Sequence, residues 1–111
     1  MQARYGVATA AAAFLLTVSV SAQEMGQPRS GLTFALAHFA ECHAVRATEV
    51  KSPNPSAPSF ASVASTSGMT GRALAVWLQT SHPTMPNLVI SKKDRDNVIA
   101  YIMSLRPVPP Q

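Results

Sequence analysis

The chain has 111 residues, room for one domain at most, and its single cysteine excludes any disulfide within it. Nine basic side chains against five acidic ones give a net charge of +4. No basic tract with interleaved aromatics occurs, so the positive excess does not point to nucleic acid.

Residues 1–22 read as an export leader. Arg4 supplies the basic start, an alanine-rich apolar stretch ends in Phe14-Leu15-Leu16, and Val20-Ser21-Ala22 are small residues suited to cleavage before Gln23. The apolar run is short and alanine-rich for a membrane span, which leaves an uncleaved anchor as the alternative. Cleavage near Ala22 implies export to the periplasm and no stable membrane insertion afterwards. Residues 23–106 then form the one domain, and domains this small commonly need a disulfide, a metal or a cofactor for stability.

Three helices are predicted, with long loops rich in proline and serine between them. Ser30 caps the first, in which Leu32, Ala35, Leu36 and Phe39 recur at spacings of three and four. Residues 52–60 follow as a rigid loop, because three prolines remove donors and push their predecessors into extended conformations. Thr70 caps the second helix, where Ala73, Leu74, Trp77 and Leu78 share a face before Pro83 closes the segment. Ser91 with Asp94 resembles a capping box for the third, whose buried stripe is Val98, Ile99, Ile102 and Leu105, with Pro107 as the stop. Residues 107–111 are a flexible tail. No run alternates apolar and polar residues over strand length, so the fold class is all-α.

The end of the first helix carries the chemistry. Phe39-Ala40-Glu41-Cys42-His43 is a C-x-x-C-H haem attachment motif with phenylalanine at the first thiol position. Cys42 offers one thioether to a haem vinyl group, and His43 offers an imidazole to the iron. A thioether bond also protects a thiol that would otherwise oxidise in an exported protein; the alternative for a lone cysteine is a small buried hydrophobe. Downstream, Met85 lies in the loop His82-Pro83-Thr84-Met85-Pro86, where proline restricts both His82 and Met85 toward extended geometry. Its soft sulfur suits ferrous iron and raises the potential, which makes His43 and Met85 the axial pair. Met69 and Met103 are the alternative sulfur ligands and His82 the alternative nitrogen, although its place beside Met85 favours a local hydrogen bond.

An iron-bound histidine donates its other ring N–H to a carbonyl or carboxylate. Pro55 and Pro58 lie at suitable distance, Pro58 being favoured, with Phe60 available to pack on the porphyrin. Phe39 would rest near the unreacted vinyl group and keep that edge dry. Trp77 either packs by the haem edge and donates its indole N–H to a propionate, or belongs to the core. Without Arg4, eight basic side chains face five acidic ones, a net of +3 that two propionates would largely offset. Arg46, Lys51, Lys92 and Lys93 form either a patch that steers an acidic redox partner or an ordinary solvated surface.

These motifs together resemble the class I cytochromes c, specifically the small exported bacterial type, over about residues 31–106. The resemblance rests on Gly31, Cys42-His43-Ala44-Val45, Ala57-Pro58-Ser59-Phe60, Ser81 through Asn87 and Ala100 through Leu105. It implies one haem wrapped by the three helices, with His43 and Met85 as axial ligands and Cys42 as the anchor. It also implies a close crossing of first and last helices, with Gly31 permitting the approach and Tyr101 packing there. Phe39 is the departure and resembles the single-cysteine variant of some protist mitochondrial cytochromes c; Ala35, where many relatives carry an aromatic, is a second.

The expected function is one-electron transfer in the periplasm through a single haem c, with a larger oxidase, reductase or dehydrogenase as partner. No open coordination position or acid–base pair suggests an enzyme. Two alternatives stand beside it: a haem peroxidase or gas sensor with a labile methionine, and a degenerate domain that serves as an interaction module.

Overall fold

The computed structural model describes residues 2–17 and 26–107. Residues 2–17 carry no regular secondary structure and are exposed, and the expected cleavage point at Ala22 lies outside the described residues. So does the expected tail, apart from Pro107. Among the described residues, no helix is long and apolar enough to cross a membrane.

Among the described residues four helices succeed one another: α1 (Pro28–His38), α2 (Phe60–Ala64), α3 (Gly71–Gln79) and α4 (Lys92–Ser104). The described residues hold no strand, only an isolated antiparallel bridge between His82 and Met85, so the protein is all-α. Three of the four helices match the periodicity; α2 is an addition. Its signal was local and short. The Ser59 hydroxyl accepts from the Ser62 N–H at 3.0 Å, an N-cap that begins one turn where the proline-rich loop ends.

The helix termini separate local from tertiary control. Thr70 caps α3 through the Ala73 N–H at 3.0 Å, and Ser91 caps α4 through the Asp94 N–H at 3.1 Å, both as the sequence predicts. The Ser91 hydroxyl also donates to the Asp94 carboxylate at 2.8 Å, which completes that terminus. Ser30, however, is not the cap of α1. The helix begins earlier, with Pro28 in its first turn and Gln27 at the N-cap, and Gln27 gives no side-chain cap. Instead the buried Asn97 of α4 accepts the Gln27 N–H at 2.8 Å. A residue seventy positions away thus satisfies one of the free donors that the local sequence leaves open.

Helix α4 is the hub that α1, α2 and α3 all touch. The α1–α4 crossing is the most extensive of these contacts, and it depends on small residues. A Cβ on Gly31 would overlap the Asn97 carbonyl and come within 2.8 Å of Tyr101 Cβ, and one on Gly26 would overlap the Asp96 carbonyl. Only glycine lets the two backbones meet here. The core holds Ala35, Phe39, Val45, Phe60, Ala64, Leu74, Val98, Tyr101 and Ile102. Tyr101 crosses it to donate its hydroxyl to the Val45 carbonyl at 2.6 Å, so the one buried phenol is satisfied. Of the stripe expected on α4, Val98 and Ile102 are buried, whereas Ile99 and Leu105 pack at its margin.

Candidate functional site

Helix α1 ends at His38, and the chain keeps turning. The Phe39 carbonyl accepts the N–H groups of Cys42 at 3.2 Å and of His43 at 2.9 Å, so the motif is wound tightly onto the helix end. The proline-rich loop is then tied to this turn at three points. Asn54 N–H donates to the Cys42 carbonyl at 3.1 Å, Ala44 N–H donates to the Ser52 hydroxyl at 3.0 Å, and Phe60 N–H donates to the Ala44 carbonyl at 2.9 Å. These bonds carry the Pro58 carbonyl to 2.7 Å from His43 Nδ1.

That last contact decides the state of the imidazole. A carbonyl oxygen can only accept, so Nδ1 carries the hydrogen, and in the neutral ring Nε2 keeps its lone pair. Pro58, not Pro55, is the acceptor. The ring is also held from its sides: Phe60 lies 5.3 Å away, and Phe39 meets it edge-on at 6.3 Å and 79°. Phe39 itself is 4 % exposed and packs on Phe60 at 5.8 Å and Phe34 at 6.3 Å. Cys42 is a half-buried free thiol beside this cluster. His43, Phe39, Phe60 and Pro58 therefore form one group of contacts.

A second group is built by the segment after α3. It borders a cleft of about 340 Å³ whose walls include Trp77, Leu78, His82, Met85, Ile90 and Arg95. Met85 is half-buried and packs against the hydrophobic core. Trp77 departs from the helical pattern: it is 58 % exposed, and on α3 only Leu74 is buried, with Leu78 half-buried. The Leu74–Leu78 side of the helix meets α4, and its axis turns Trp77 and Ala73 outward. There the indole stacks on His82, with ring centroids 3.9 Å apart and planes at 23°. His82 Nε2 donates to the Trp77 carbonyl at 2.8 Å, the local bond its position favoured. The stack itself had no sequence signal beyond a tryptophan and a histidine five residues apart.

Ion pairs alter the proposed basic patch. Lys92 bonds Asp96 at 2.6 Å and Arg46 lies 3.9 Å from Glu49, so two of the four cations have an acidic neighbour on their own segment. His38 is exposed and its ring lies 4.2 Å from that of Phe34. Among the described residues, no three His, Cys, Asp or Glu side chains gather to hold a metal ion.

No family model matches the chain, and no solved structure does so significantly. A curated protein does: cytochrome c-552 of Bradyrhizobium diazoefficiens is 36 % identical over 77 residues, covering 69 % of this chain and 73 % of that protein. The chain belongs to the cytochrome c family. In this cytochrome candidate donors among the described residues include the Nε2 atom of His43 and the sulfur of Met85, with the Cys42 thiol beside the histidine and Met69 and Met103 also half-buried. The donor set suits haem, which supplies four equatorial nitrogens and asks the protein for two axial ligands and an apolar surround. Phe39 and Phe60 give His43 an apolar flank, and the cleft beside Met85 is lined by both apolar and polar side chains.

Proposed function

We propose that the chain is an exported one-electron carrier of the class I cytochrome c type. It holds a single haem c, bound by one thioether from Cys42 and ligated by His43 and Met85. The observation that carries this reading is the 2.7 Å bond between His43 Nδ1 and the Pro58 carbonyl. That bond fixes the ring and leaves Nε2 as the nitrogen free to bind iron.

Haem supplies the redox centre, whose iron alternates between ferric and ferrous states when bound. The chain's own residues do the rest. His43 is fixed by Pro58 and flanked by Phe39 and Phe60, so the ligand has little room to reorient as charge changes. Met85 sits in a turn bounded by Pro83 and Pro86, which lowers the entropy lost when the sulfur is held. The single tether at Cys42 keeps the cofactor at high effective concentration even without a second thiol. Six-coordination by fixed ligands favours electron transfer over substrate chemistry, so the chain is not an enzyme on this reading. It acts in the periplasm after removal of residues 1–22 and docks transiently to a larger oxidase, reductase or dehydrogenase.

The test is a denaturing gel stained for haem, run on protein expressed with a competent maturation system, followed by a pyridine haemochrome spectrum. Haem should stay with the polypeptide, and its α band should be red-shifted because one vinyl group remains conjugated. Complete extraction of haem into acid acetone contradicts the thioether. Colourless, matured and cooperatively folded protein contradicts the carrier and leaves the interaction module.

A further inference from the structure

We propose that His82 is a latch that fastens the Met85 turn to the end of α3 and so positions the thioether. The inference rests on the His43 and Met85 ligation given above and extends it to a residue with no ligand role. Prolines 83 and 86 fix the shape of the turn but not its place. The stretch beyond gives little further hold: Leu88 is 39 % exposed and Val89 fully exposed.

Met85 and Ile90 pack at the margin of the core, and the turn is fastened to α3 by three contacts of one residue. His82 Nε2 donates to the Trp77 carbonyl at 2.8 Å. That carbonyl lies in the last turn of α3, where no intrahelical partner reaches it, and it also takes the Thr80 N–H at 3.2 Å. The imidazole then lies flat on the Trp77 indole, 3.9 Å between centroids and 23° between planes. Finally the His82 backbone pairs with that of Met85 across the turn. Helix α3 is anchored in the core by Leu74. The path from core to sulfur therefore runs Leu74, Trp77, His82, Met85. The join between Trp77 and His82 is made by the His82 side chain, and one substitution opens it. Its role is to position Met85, not to bind iron.

The experiment uses ferric holoprotein and two readouts: the methionine-to-iron charge-transfer band and the affinity for added imidazole, which competes with the sulfur. Removing a hydrogen bond and a stacked pair shifts the turn toward its released state, so His82→Ala should weaken the band and bind imidazole roughly tenfold tighter. His82→Gln returns an N–H to the Trp77 carbonyl and should recover part of both readouts. Far-UV thermal unfolding of the two variants should differ less than their imidazole affinities, as a positioning role requires. Trp77→Leu keeps the carbonyl but removes the ring, and it should shift both readouts in the same direction by less. It also carries the test if His82→Ala yields no folded holoprotein. Variants that match wild type in band and imidazole affinity overturn the latch. A wild-type protein without the band overturns the Met85 ligation itself, and the latch with it.

Discussion

Phe39→Ala tests whether the residue at the vacant thiol position belongs to the core. Its side chain is 4 % exposed and meets Phe34, His43 and Phe60 at centroid distances of 6.3, 6.3 and 5.8 Å. Truncating a phenylalanine so buried removes its transfer free energy and leaves a cavity, together about 3–5 kcal/mol. A domain of roughly eighty residues is stable by about 4–12 kcal/mol, so the loss is a large share of the total. In urea, with a slope of about 1.5 kcal/mol per M, the unfolding midpoint should fall by about 2–3 M. Phe39→Leu keeps an apolar side chain and should lose less. The same substitution frees one side of the His43 ring, so holoprotein of Phe39→Ala should also show a shifted potential. An unfolding free energy within about 0.5 kcal/mol of wild type, the range of surface substitutions, would refute the core placement.

Other outcomes follow from single contacts. Gly31→Ala drives a methyl into the Asn97 carbonyl and should destabilise the α1–α4 crossing by about 1–3 kcal/mol or more; a urea midpoint equal to wild type would argue against the close approach. Tyr101→Phe leaves the Val45 carbonyl without its 2.6 Å partner and should cost about 1–3 kcal/mol at pH 7. Burial holds the Tyr101 phenol above its ordinary pKa of 10.0, against a downward pull from Arg46 and with a smaller upward push from Glu49. The stability this group gives is thus fully present below about pH 10 and declines as pH rises beyond it, a limb that Tyr101→Phe should lack. Parallel pH profiles from 7 to about 11 would contradict that assignment. Phe39→Cys rebuilds C-x-x-C-H, and after maturation its haemochrome α band should move back from the red as the second vinyl group saturates. Met85→Ala should retain haem yet admit added ligands; unchanged ligand binding and potential would pass the role to Met69, Met103 or His82.

The parts of the molecule legible in its sequence are those fixed within one or two turns of chain. Thr70 and Ser91 cap their helices because a hydroxyl three residues before an N–H reaches it whatever surrounds them. Prolines forbid helix at residues 52–58 for the same local reason, and the Phe39-x-x-Cys42-His43 spacing announces its chemistry without a fold. Where a second segment sets the outcome, Pro58 meets His43 as favoured and Gly31 meets α4, but two other expectations change. Ser30 is a good local cap, yet α1 starts at Pro28, because Asn97 supplies from α4 the acceptor that Gln27 lacks. Trp77 fits an apolar face by periodicity, yet it lies outward, because α3 meets α4 through Leu74 and offers the indole to His82.

The sequence by itself determined the all-α class, two of the caps, the glycine that a close crossing requires and the favoured pairing of Pro58 with His43. Only the tertiary structure decided that this pairing forms, that α1 starts at Pro28 and that Trp77 turns outward onto His82. The physical reason is range: caps, proline restraint and periodicity act over three or four residues. The bonds from Pro58 to His43 and from Asn97 to Gln27 span fifteen and seventy, and they exist only once the helices have packed.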